Sequence, residues 1–229
     1  MRQEALTALR FTGASKTHDA KIIASLMKIA EGKDTNLART ALYTLGTRKL
    51  PPSVATKLEK LATHPEAERA RFAIEQLGRQ DNNEAIKALV GILCTQDRSR
   101  ADLAAEALKG KKDAIPLLAK ALMTIDDPDR AWMTQKVLKP HAGKLTKTQR
   151  TQLLERAVDR LAGGKKGWEA PLQVVRDASP DAAADGLREL AARLLKAKKT
   201  DHAAMVARVL CRTDQATNKD RYHLATLEL

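Results

Sequence analysis

Aromatic residues are scarce: Trp, Tyr and Phe together make up 3% of the chain. A core of this protein therefore has to be built from Leu, Ala, Val and Ile. No apolar run approaches the ~20 residues of a membrane-spanning helix, so no membrane segment is expected. No stretch alternates apolar and polar residues for long enough to make a strand. The two cysteines, Cys94 and Cys211, are far apart and each sits in an apolar helical setting, which excludes a disulfide framework and reads as small buried side chains. That usage leans towards a reducing, cytoplasmic compartment; an exported parent protein is the open alternative. Catalytic signatures are missing as well. There is no HExxH, GxSxG or GxGxxG, and Gly163–Trp168 (GGKKGW) has neither the spacing nor the preceding strand of a phosphate loop. No two of the five histidines stand at metal-ligand spacing. No metal, cofactor or catalytic residue is expected, and the chain is expected not to be an enzyme.

What is present is alanine, leucine and charge. Hydrophobic residues make up 43% and charged residues 30% of the 229, enough for a folded core. Lys and Arg outnumber Asp and Glu by 41 to 28, a net charge of +13. An excess of this size favours an acidic partner, whether protein or nucleic acid.

The order in the chain comes from repetition. Ala-rich amphipathic segments recur around anchor residues Leu9, Leu45, Leu77, Leu108, Leu138, Val175 and Leu210, spaced 30 to 37 residues apart. A small residue stands one turn before most anchors (Ala5, Ala41, Ala73, Ala104), letting neighbouring helices approach closely. Glycines shortly after the anchors (Gly13, Gly46, Gly78, Gly110) read as helix stops. Between these segments a second set of helices is expected over 18–31, 53–63, 83–94, 113–124, 146–161, 181–195 and 219–229. Pro51-Pro52-Ser53 and Ser179-Pro180-Asp181 are plain helix starts. Asp126-Asp127-Pro128-Asp129 reads as a capped turn, and Gly163–Trp168 as a flexible loop between repeats.

Helix pairs of this length cannot bury their apolar faces alone; stacked, they share a continuous core. The expected fold is all-α: one array over 1–229 of about seven antiparallel helix pairs, forming an α-solenoid with a right-handed superhelix. The array is regular over 37–140 and looser over 141–229. The chain ends inside an apparent helix, as a segment of a longer protein would.

Asp127-Pro128-Asp129-Arg130-Ala131 resembles HEAT-like repeats. So do Glu68-Arg69-Ala70-Arg71 leading into Ala73, Leu77 and Gly78, and Glu84-Ala85-Ile86 before Leu89-Val90. The resemblance covers 37–140 well. It implies a binding scaffold; a few relatives of this architecture act on DNA.

Candidate partner contacts follow from register. Arg69, Arg100 and Arg130 each lie eight residues before an anchor. In stacked repeats they would form a column about 10 Å apart, either offering guanidinium groups to a partner or pairing with acids of their own turns. Lys109, Lys111, Lys112, Lys136 and Lys139 belong to a second basic set in the turns after the Ala-rich helices, with Arg48, Lys49 and Arg79. That set reads as a basic stripe or as ordinary helix-end capping. Trp132 stands six before its anchor, as a core gap-filler or a partner contact. The favoured function is a non-catalytic scaffold binding an acidic protein through a basic curved surface. Duplex DNA binding is the alternative. A HEAT-like DNA glycosylase, with Trp132 and Asp129 or Trp168 and Glu169 at its site, is the most remote.

Overall fold

The computed structural model describes residues 16–227, together with Glu4 and Ala8. Anchor Leu9, Ala5 and Gly13 lie outside the described residues. Among the described residues there are thirteen α-helices and no strands. The helices are α1 (Lys16–Ala30), α2 (Thr35–Gly46), α3 (Ala55–Ala62), α4 (Ala67–Gly78), α5 (Asn83–Thr95), α6 (Arg98–Leu108) and α7 (Ile115–Thr124). They continue with α8 (Pro128–Leu138), α9 (Lys147–Ala162), α10 (Glu169–Ala178), α11 (Pro180–Lys196), α12 (Thr200–Cys211) and α13 (Asn218–Leu227). The fold is an all-α solenoid. It falls into two compact units that divide between Lys111 and Lys112.

The helix boundaries follow local chemistry. Asp34, Asn82, Asp97, Asp127 and Ser179 each accept a backbone N–H from the first turn of the helix they precede. Thr146 and Gln149 bond reciprocally at the start of α9. Gly46 and Gly78 end their helices, and Gly110 turns the chain at φ +80°, a conformation that a side chain would strain.

In the first unit the hairpins α1–α2, α3–α4 and α5–α6 stack in two layers, with α3 on α5 and α2, α4 and α6 side by side. The described anchors Leu45, Leu77, Leu108, Leu138, Val175 and Leu210 are all buried, as are Ala41, Ala73 and Ala104. The small residues do what the repeat needs. A Cβ on Gly78 would fall 2.9 Å from the Cβ of Ala107, so α4 and α6 meet almost backbone to backbone.

In the second unit α7, α9 and α11 form one layer, α8 packs on α10, and α12 closes against α9 and α11. Helix α13 buries none of its residues. It is held instead by charge. Arg188 of α11 donates to both carboxylate oxygens of Asp220 (3.1 and 2.9 Å), to Asp185 (2.7 Å) and to the Gln215 carbonyl (2.7 Å). The hydrogen bonds from Arg188, helped by the Thr217 N–H, hold the Asp220 carboxyl well below the usual carboxylate range. A depressed native pKa stabilises the fold above the unfolded value, and that contribution fades as pH falls from about 5 through the native value. Hydrogen exchange should therefore show α13 loosening progressively as pH falls below about 5, and Asp220→Asn should leave it loose and largely insensitive to pH in that range.

Candidate functional site

The arginine column turns inward where it is most regular. Arg69 is 2% exposed. Its Nη1 donates to the carbonyls of Ala30 (2.8 Å) and Gly32 (2.6 Å), and its Nε to Glu66 (2.6 Å). Arg100, one hairpin on, donates through Nη2 to the His64 carbonyl (2.6 Å) and pairs with Asp97 (3.2 Å). Each side chain thus reaches back across the stack to backbone just past the end of a first-layer helix, α1 or α3. The carbonyls left over at a helix C-terminus carry partial negative charge and need donors. A planar guanidinium can serve two at once. Arg69 accordingly offers no surface to a partner, and Arg100 very little. Arg130 is half-buried in the second unit, its backbone N–H held by Asp127 (2.9 Å).

A third arginine repeats the device without belonging to the column. Arg160 of α9 is 4% exposed. It donates to the carbonyls of Ile125 (3.3 Å) and Asp126 (2.8 Å), past the end of α7, and to the Asp126 carboxylate (2.5 Å). Its Nε also holds the Lys166 carbonyl at 3.0 Å. The expected flexible loop Gly163–Trp168 is therefore fastened in two places. Gly167, at φ +81°, also lies so close to Pro128 that a Cβ there would come within 3.2 Å of its Cα. The hydrogen bond from Arg160 is the main reason the Asp126 carboxyl sits below its ordinary range.

The outer face of α2, α4 and α6 is close to neutral. Arg39 pairs with Glu68 (3.1 Å), Arg71 with Glu75 (2.8 Å) and Lys109 with Glu106. Such exposed pairs add little stability, but they cancel the charge a partner would meet. Lys21, Lys28, Lys57, Lys60 and Lys87 are exposed on α1, α3 and α5, interleaved with Glu31, Glu59 and Glu84.

The turns after α2 and α4 differ. Lys49 and Arg79 are exposed, and among the described residues neither has an acidic partner. They line a cavity of about 460 Å³ with Arg48, Gln76, Gln80 and Asn82. Arg48 is largely buried and paired with Asp19. Lys111 lies along the same edge, bound to the Gln80 carbonyl (2.9 Å) and to Asp81 (2.6 Å).

In the second unit Lys112 and Lys139 are exposed. Trp132 is 50% exposed rather than packed in the core. Its position, six before the anchor, is the one held by exposed Arg39, Arg71 and Asp102 in the preceding repeats, and that equivalence was available from register alone. Lys136, one turn on, places its ammonium 3.8 Å from the Trp132 ring centroid, a cation–π contact. Cys94 and Cys211 are half-buried, and neither is in a disulfide. Among the described residues no helix is long and apolar enough to cross a membrane.

Two stacked layers of short helices, buried anchors at this interval and cross-repeat capping fit one kind of array, and the family comparison agrees. The model for HEAT repeats matches residues 23–109. This stretch is a HEAT-repeat array. HEAT repeats are generally protein-interaction scaffolds and typically non-catalytic. The match spans the hairpins that carry Arg69, Arg100 and the cavity beside Gln80. No curated protein matches the chain.

Proposed function

We propose that the chain is a non-catalytic HEAT-repeat scaffold, one array through 1–229, that docks an acidic protein segment along the turns after its second-layer helices. Lys49 and Arg79 are the principal contacts, with Lys111 on the same edge. The second unit carries candidate contacts of its own: Lys112, Arg130, Lys139 and the Trp132–Lys136 pair. A half-exposed Trp rimmed by a cation is the kind of side chain that anchors interfaces. The observation that carries this reading is local. Lys49 and Arg79 are exposed without an acid and share one cavity, whereas Arg39, Arg71 and Lys109 are each paired with a carboxylate. The lack of a disulfide between the two cysteines supports a reducing, cytoplasmic setting.

Acids are interspersed along this edge: Asp19, Asp81 and Glu106 all stand close to its cations. A peptide can space its carboxylates to suit such a pattern. A nucleic-acid backbone is an unbroken row of charge and meets every acid as well. Titration with an oligoglutamate peptide and with duplex DNA at about 50 mM salt separates the two. The expected result is saturable peptide binding that weakens with salt, and duplex binding that is weaker throughout. Duplex binding tighter than peptide binding would overturn the reading.

A further inference from the structure

Three residues past the anchors Leu45, Leu77 and Leu108 stand Arg48, Gln80 and Lys111. In two of the three hairpins this position holds a cation that bridges to the start of the same hairpin. Arg48 pairs with Asp19, 29 residues back, at the first turn of α1. Lys111 pairs with Asp81, 30 residues back, just before α5. The bridge joins the two ends of each hairpin at its open side.

The hairpin α3–α4 lacks both halves of the bridge. Its cation is replaced by Gln80, and its acid by the apolar run Leu50-Pro51-Pro52. Gln80 is 8% exposed, and its Nε2 is buried with no acceptor. Its Oε1 is taken by Asn82, whose Nδ2 donates at 2.9 Å. A buried donor without an acceptor costs free energy that the native state does not recover. Lys49 and Arg79 lie around the same cavity, without acidic partners. The one acid lining it, Asp81, is engaged by Lys111. The cavity therefore holds two uncompensated cations and an orphan donor, in the place where each neighbouring hairpin holds an anion.

We propose that this cavity receives a carboxylate side chain of the acidic partner, which supplies in trans the acid that Asp19 and Asp81 supply in cis elsewhere. The inference rests on the reading above for the source of that carboxylate. Lys49 and Arg79 provide the attraction. The Gln80 amide turns towards the incoming oxygen and gains its missing acceptor. A free carboxylate such as glutarate has the same chemistry and fits the cavity without needing the rest of the edge.

The test follows the Gln80 side-chain amide by NMR, assigned with Gln80→Leu, while oligoglutamate or glutarate is titrated in. Both ligands are expected to shift it, with the peptide curve tracking overall binding. Gln80→Glu places an acid in the cavity in cis and is expected to weaken peptide binding about tenfold, against less than about twofold for the same charge change at exposed Thr63. Peptide binding that leaves the amide unmoved and survives Gln80→Glu overturns the cavity but not the edge. A glutarate shift without peptide binding upholds the carboxylate cavity and overturns the acidic-partner reading. Failure of both ligands overturns both.

Discussion

Arg69→Met is expected to destabilise the first unit by about 3 kcal/mol, and to do so at its N-terminal end. Methionine fills much of the same space and keeps the apolar stem, so the loss is chiefly that of the guanidinium. The carbonyls of Ala30 and Gly32 lose their donor inside the stack, and Glu66 loses its ion pair. The Ala30 carbonyl ends α1 and the Gly32 carbonyl lies in the turn after it, while Arg69 belongs to α4. The bond therefore ties the first hairpin to the second. In a repeat array each hairpin is stabilised mainly by its neighbours, so the expected signature is early hydrogen exchange in α1 and α2 while α5 and α6 stay protected. Arg71→Met, two residues on, removes only an exposed pair with Glu75 and is expected to leave the unfolding midpoint unchanged. Equal effects from the two substitutions would mean that Arg69 acts through surface charge and not through its carbonyls.

Arg160→Met should be at least as damaging, by roughly 3–5 kcal/mol. The side chain is 5% exposed, and it serves three separate carbonyls and one carboxylate. Its removal frees the end of α7 and the loop that leads into α10 together. Arg160→Lys is expected to recover little, because one ammonium cannot reach the carbonyls of Ile125, Asp126 and Lys166 in the geometry of a planar fork. Calorimetry measures the loss. Limited proteolysis locates it, with new cleavage expected between Gly163 and Trp168. A lysine variant as stable as the wild type would remove the geometric argument and leave only the charge.

Register made the architecture legible. Anchors such as Leu77 and Leu108, the alanines one turn before them and the helix starts at Asp127 and Ser179 each point to one helix arrangement, and that arrangement is the one observed. The arginine column was legible as a column, but its direction was not. The acceptors of Arg69 are main-chain carbonyls 37 and 39 residues away, and every residue type carries a carbonyl. Arg160 escaped notice because it repeats the contact from the other layer, outside the anchor register. The loop Gly163–Trp168 carries glycines that suggest freedom, yet Gly167 is there to let Pro128 approach. At Gln80 the informative feature is a missing bridge. It shows only when the pairings of Arg48 and Lys111 are set beside it.

Binding at the turns and binding through net charge make different demands on where positive charge sits. The most direct measurement compares two double variants of equal charge change for affinity to the same oligoglutamate peptide. Lys49→Glu with Arg79→Glu alters the turns; Arg39→Glu with Arg71→Glu alters the neutralised helix face. The turn variant is expected to bind about tenfold or more weakly, and the face variant within about threefold of the wild type. Equal losses in the two would contradict a localised edge and leave only the chain's overall positive charge.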